Sequence, residues 1–118
     1  MNIMERLRGE KPIDDNDVVK LRQLRFRHAP NVVWTTSGGE TVVFDVDRGK
    51  YESLNEVATS VWQLVADWKT FDDVIRTIEL EYELSTRADV EQMQRDVAAL
   101  LIRLGKARTL IAEPLADV

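Results

Sequence analysis

The sequence predicts an α+β protein in which a three-stranded antiparallel sheet is followed by three helices. Two observations predict it. Between Asn31 and Leu54, β-branched and aromatic runs are broken by glycine-bearing turns. From Asn55 to Leu104, apolar residues recur at helical spacing, and each run opens on a residue suited to cap a helix.

Residues 1–16 are polar, contain Gly9 and Pro12 and keep no sustained period, so they read as a mobile arm with one helical turn at Ile3–Arg8. The arm is expected to extend over residues 1–23 and to be partly flexible. Leu24, Phe26 and His28 then alternate with Arg25 and Arg27, as in a strand, and Lys20 and Arg22 extend its basic side. That side is either the solvated face of an entry strand or a basic lip that receives an acidic partner segment. Pro30 ends the piece.

Asn31–Thr36 reads as a strand, and Ser37-Gly38-Gly39 as its hairpin turn. In the next strand Val42, Phe44 and Val46 share one face, expected in the core. Thr41, Val43, Asp45 and Asp47 share the other, expected to be largely wet. Asp47-Arg48-Gly49-Lys50 is a second turn, with Gly49 the left-handed residue. Lys50–Leu54 makes a third strand with one unpaired side, unless the N-terminal segment or a partner covers it.

Asn55 caps the first helix, whose stripe is Val57, Val61, Leu64, Val65 and Trp68. Thr70-x-x-Asp73 opens the second, which presents Phe71, Val74, Ile75, Ile78 and Tyr82. Thr86-x-x-Asp89 opens the third and longest, with a core stripe of Val90, Met93, Val97, Leu100, Leu101 and Leu104, and Gly105 placed to end it. Gln94, Arg95, Ala98 and Ile102 lie beside that stripe, at ~100° per residue. Ala98 and Ile102 either complete the core or floor a shallow groove. Residues 108–112 form a short terminal strand or pack back, and residues 113–118 read as a frayed tail.

At 118 residues the chain is one domain, and 44% hydrophobic with 31% charged residues fits an ordinary globular protein. No apolar run approaches the ~18 residues that a membrane span needs, and the N-terminus lacks the apolar stretch of a signal peptide. The expected place is the cytoplasm. The net charge is −5, but residues 1–28 carry seven Lys/Arg against five Asp/Glu, while the rest carries nine against sixteen. So acidic a body is a poor surface for phosphate backbones.

Catalytic chemistry finds no residues. There is no cysteine and one histidine, His28, with no serine in an elbow motif. Asp72 and Asp73 sit in a helical first turn, where cap and dipole explain them. Asp45 and Asp47 flank a turn without the glycine-spaced ligands of a calcium loop. Gly38-Gly39 is followed by neither Gly-Lys-Ser/Thr nor a helix, so it is no phosphate loop. No metal or cofactor is expected. Trp62 and Trp68 read as core or its rim. Trp34 reads as core, because residues 31–47 hold no base to build a stacking platform.

In order along the chain, Val33-Trp34, Gly38-Gly39-Glu40-Thr41-Val42-Val43-Phe44-Asp45, Gly49-x-Tyr51-x-x-Leu54-Asn55 and Val61-Trp62 resemble the PqqD-like family. Val74-Ile75, Tyr82, Val90 and Asp96-Val97-x-x-Leu100-Leu101-x-x-Leu104 continue the resemblance, which covers roughly residues 24–112. It implies a winged-helix-like domain, a RiPP recognition element, that binds the leader of a ribosomally made precursor peptide as an added antiparallel strand. Carried onto this sequence, the strand partner is Lys50, Tyr51, Glu52, Ser53 and Leu54. The groove wall is Gln94, Arg95, Ala98, Leu101 and Ile102.

The form Gly-Lys-Tyr-x-x-Leu-Asn most resembles the stand-alone leader-binding protein of lasso-peptide pathways. There the partners are a precursor leader and a leader peptidase or other peptide-modifying enzyme. A chaperone of a quinone-cofactor precursor and a winged-helix DNA binder are the alternatives. Pairing of edge strands into a homodimer is compatible with the first reading.

Overall fold

The computed structural model describes residues 13–115. The helical turn expected at Ile3–Arg8 and the last residues of the tail lie outside them. In chain order the elements are α1 (Asp15–Leu21), β1 (Leu24–His28), β2 (Val32–Ser37), β3 (Glu40–Asp45), β4 (Lys50–Leu54), α2 (Glu56–Leu64), β5 (Lys69–Thr70), α3 (Phe71–Glu81), α4 (Arg87–Lys106) and β6 (Leu110–Pro114). Antiparallel sheets and helices mix as expected, with four described helices where the sequence pattern shows three.

The extra helix, α1, arises inside the stretch read as arm. Asp14 and Asp17 close a reciprocal capping box, and Val18 and Leu21 are buried. The helix is only seven residues long with two buried side chains, too short for an apolar period to mark it.

The meander forms in the expected register. Val32 to Ser37 pairs antiparallel with Glu40 to Asp45, which pairs in turn with Lys50 to Leu54. Gly38, Gly39 and Gly49 take φ of 60°, 80° and 65°, the left-handed values these turns need. A second sheet has the order β5-β1-β6, so the terminal strand is present and runs to Pro114. The entry strand therefore pairs in this second sheet and leaves β4 uncovered.

The faces of β3 are the reverse of the expectation. Val43 is fully buried, with Thr41 and Asp45 nearly so, while Val42 and Val46 are exposed. Hydrogen bonding explains how two polar side chains go inward. Thr41 shares a hydrogen bond with Thr36 across the hairpin at 2.8 Å. Asp45 accepts from the Asn31 amide and from the backbone N–H groups of Asp47 and Arg48. These donors hold its carboxyl below the usual range, the Asn31 amide most of all.

Helices α2, α3 and α4 close over the sheets around Trp62, Phe71, Ile78, Leu100 and Leu104, all fully buried or nearly so. Asn55, Thr70 and Thr86 cap them as read, each accepting from a backbone N–H three residues on. Trp68 falls beyond α2, where Arg25 and Arg27 stack on its ring at 4.4 and 5.5 Å. Trp34 is not core, since it is 41% exposed, but its ring edge meets His28 and Trp62.

Gly105 does not end α4. The helix runs to Lys106, and Arg108 takes the left-handed position at φ 63°. Arg108 N–H donates to the Gly105 carbonyl and Thr109 N–H to that of Leu104, which is the Schellman arrangement.

Candidate functional site: the β4 edge and the flank of α4

β4 is an edge strand. β3 pairs with one side of it, and no described strand pairs with the other. Of its residues, Lys50, Tyr51 and Ser53 are exposed, Glu52 is half-buried and Leu54 is in the core. An edge of this kind offers unpaired backbone N–H and C=O groups to an extended segment.

Beside that edge α4 contributes Arg103 and Lys106, which are not among the residues expected there. Arg103 forms an ion pair with Glu52 and so fixes which flank of α4 faces β4. Lys106 shares a cleft with Lys50, Tyr51 and Glu52. By the helical repeat, Ala99, Asp96 and Gln92 continue the line of Arg103 toward the start of α4.

The expected wall residues line two other clefts or the core. Gln94 and Arg95 line a cleft with Asp15, Val18, Val19 and Arg22 of the α1 segment. Leu101 and Ile102 line an apolar cleft with Leu21, Leu24, Phe26 and Leu110. Ala98 is fully buried. The structure thus sets Arg103 and Lys106 beside β4 and Gln94 and Arg95 beside α1, while Lys106 also lines the apolar cleft with Leu101 and Ile102. The apolar arc widened by Ala98 and Ile102 is real: Ala98 is in the core, and Ile102 stays half-buried in the cleft beside α1 and β6.

Three residues past Leu54, Val57 lines a cleft of about 430 Å³ between α2, α3 and α4. Val57, Ile78, Tyr82 and Met93 are among its apolar walls, and Asp89, Gln92 and Asp96 are its polar members. Burial pushes the Asp96 carboxyl up, against the hydrogen bond it accepts from Gln92 at 2.9 Å. On the outer face of the meander Val33, Val42 and Tyr51 are exposed, and Phe44 packs on Tyr51 at 4.7 Å between ring centroids.

His28 belongs to the scaffold. Its ring stacks on Trp62 at 3.7 Å, and Nε2 donates to the Trp62 carbonyl at 2.7 Å. Burial holds its pKa below the ordinary value. No group of three or more potential metal-ligating side chains forms among the described residues. No described helix is long and apolar enough to cross a membrane.

A meander whose last strand keeps an open edge beside a long helix defines a small domain of mixed helices and antiparallel sheets. The chain belongs to the PqqD family, described as coenzyme PQQ synthesis protein D, whose sequence pattern matches residues 40–110. That span runs from β3 through α4 to the start of β6. Two solved structures are similar. One is TbiB1 in complex with the TbiA(beta) leader peptide, 26% identical, with a TM-score of 0.62, covering 77% of this chain and 99% of that one. The other is a lasso peptide synthetase B1 complexed with its leader peptide, 28% identical, with a TM-score of 0.60, covering 73% and 96%. No curated protein matches this chain.

Proposed function

We propose that this chain is a non-catalytic adaptor of lasso-peptide maturation. It binds the leader segment of a ribosomally synthesised precursor as a strand added antiparallel to β4, and presents it to a leader peptidase or other modifying enzyme. One observation carries the reading. The open edge of β4 lies beside α4 in a member of the PqqD family, and two structural relatives were solved with a leader peptide on them. Main-chain hydrogen bonds along the edge supply affinity, and the side chains that flank it supply selectivity.

In this reading the recognition domain spans residues 24–112, with winged-helix-like architecture in which β2 to β4 are the wing. Lys50 to Leu54 supply the strand. Arg103, Lys106 and the line through Asp96 and Gln92 supply the wall, in place of the flank that carries Gln94 and Arg95. The protein works in the cytoplasm, where the precursor is made, and in the absence of a leader the same edge is open to a second copy of the chain.

The test is titration of the full chain with the synthetic leader of the precursor encoded beside its gene, followed by fluorescence anisotropy and by amide chemical shifts. The reading expects a Kd tighter than ~100 μM and the largest amide shifts along residues 50–54. Weaker binding, or shifts centred on another element, would sink it.

A further inference from the structure

The two ends of the β4 edge differ in charge. At the Lys50 end, Arg48, Lys50 and Lys106 line a cleft of about 220 Å³ together with Asp45 and Glu52. Both carboxylates are engaged within the fold. Asp45 accepts from Asn31 and the turn amides, and Glu52 is held by Arg103. Arg48 also pairs with Asp45, and Arg103 adds a fourth cation beside Glu52, so cations outnumber carboxylates at that end and set its sign. The neighbouring cleft past Leu54 is the opposite: Asp89 and Asp96 are its charged members, and no described Lys or Arg lines it.

The end of a helix does not account for this difference. Arg103 and Lys106 do stand in the last turn of α4, where cations offset the helix dipole. Arg48 and Lys50, however, stand on the β3–β4 turn and on β4 itself, and converge on the same cleft.

We infer that the segment pairing with β4 is a peptide of defined charge polarity, with carboxylates in its C-terminal half and an apolar, carboxylate-free N-terminal half. The inference rests on the proposed antiparallel strand addition. A strand added in that sense runs from the Leu54 end to the Lys50 end. Its later residues meet Arg48, Lys50 and Lys106, and its earlier ones meet the apolar cleft at Val57, Tyr82 and Met93. Like charge at the Asp96 end opposes the reverse arrangement, so the same field that attracts one register rejects the other.

The experiment uses the full chain and three fluorescent synthetic peptides: the leader encoded beside the gene, and two isomers of it with identical composition. One isomer carries all its carboxylates in the C-terminal half, the other in the N-terminal half. The first isomer is expected to bind about tenfold tighter at low salt, and that advantage is expected to collapse as salt screens exposed charges. It is also expected to vanish in the Lys50→Glu/Lys106→Glu variant, whose two altered side chains are exposed and leave the core intact.

Equal affinity of the isomers, preference for N-terminal carboxylates, or a preference that survives the charge reversal overturns the inference. If the unaltered leader still binds in those cases, the adaptor reading stands without it. Failure of the unaltered leader to bind removes both.

Discussion

Arg103 of α4 and Glu52 of β4 form an ion pair that joins the long helix to the open edge strand. Both side chains are about four-fifths covered, at 23% and 19% exposure, so neither charge is well solvated alone. Removing one partner leaves the other charge largely buried. Replacing both with apolar groups removes that penalty. Arg103→Met and Glu52→Leu are each expected to lower unfolding free energy by about 1–3 kcal/mol. The double variant Arg103→Met/Glu52→Leu is expected to lose less than the sum. Urea denaturation of the four proteins measures the coupling, and additive losses would show that the pair is solvated and holds nothing.

The reversed faces of β3 give a sharper contrast between adjacent valines. Val43 is fully buried and Val42 is 39% exposed. Val43→Ala is expected to cost about 2 kcal/mol, since it removes buried methyl groups from the core. Val42→Ser is expected to cost under about 1 kcal/mol. On β4 the same reasoning gives about 2–5 kcal/mol for Leu54→Ala, against about 0.5 kcal/mol or less for Tyr51→Ser. Thermal or urea unfolding of the four variants checks the ranking, and a larger loss at Val42 than at Val43 would contradict the observed packing.

These residues also show what the sequence makes legible. Alternation along residues 41–46 identifies a strand and divides it into two faces, because the side-chain period is two. It does not say which face is inward. Counting apolar residues favours Val42, Phe44 and Val46, and the count loses to three polar partners that lie elsewhere in the chain. Thr36, Asn31 and the Asp47–Arg48 amides satisfy Thr41 and Asp45 and so let them be buried around Val43. The strand of the candidate site was legible from its turns and spacing. Its α4 wall was not, because the helical repeat shows that Ala98 and Ile102 widen the apolar arc but not what covers them. What packs beside them is α1, whose capping pair Asp14 and Asp17 sits in a polar stretch, and Ile102 keeps a half-buried place in the cleft between α1 and β6.

Helices α3 and α4 both end in Schellman arrangements without glycine. Glu83 has φ 52° and Arg108 has φ 63°. In each case the two closing hydrogen bonds are present, with Leu84 N–H donating to the Glu79 carbonyl and Thr109 N–H to that of Leu104. A residue with a Cβ is strained in the left-handed region by about 1 kcal/mol. Glu83→Gly and Arg108→Gly are each expected to raise the melting temperature, with a gain of up to about 1 kcal/mol. Arg108→Val is expected to lower it by more than either gains, because a β-branched residue is worse still there. Calorimetry on the three variants measures this, and a loss in both glycine variants would show that side-chain contacts at these positions outweigh backbone strain.

The His28–Trp62 stack makes stability depend on pH in a definite direction. Burial lowers the His28 pKa below its ordinary 6.5, with the Trp62 carbonyl bond acting against the shift and Arg27 adding to it. The folded chain therefore favours the neutral ring, and the unfolded chain takes up its proton first as pH falls. The stability tied to this group is fully present above about 6.5, and is lost as pH drops through that value toward the lower folded pKa. Asp45, lowered chiefly by the Asn31 amide, contributes in the same sense further down, its share being lost as pH falls through the carboxylate range. His28→Phe keeps an aromatic ring against Trp62 and removes the titration. It is expected to cost stability at neutral pH, since the Trp62 carbonyl loses its donor, and to flatten the decline that sets in as pH falls below about 6.5. Unfolding free energies of both proteins at half-unit pH steps test this, and an unchanged slope in that window would assign the decline to groups other than His28.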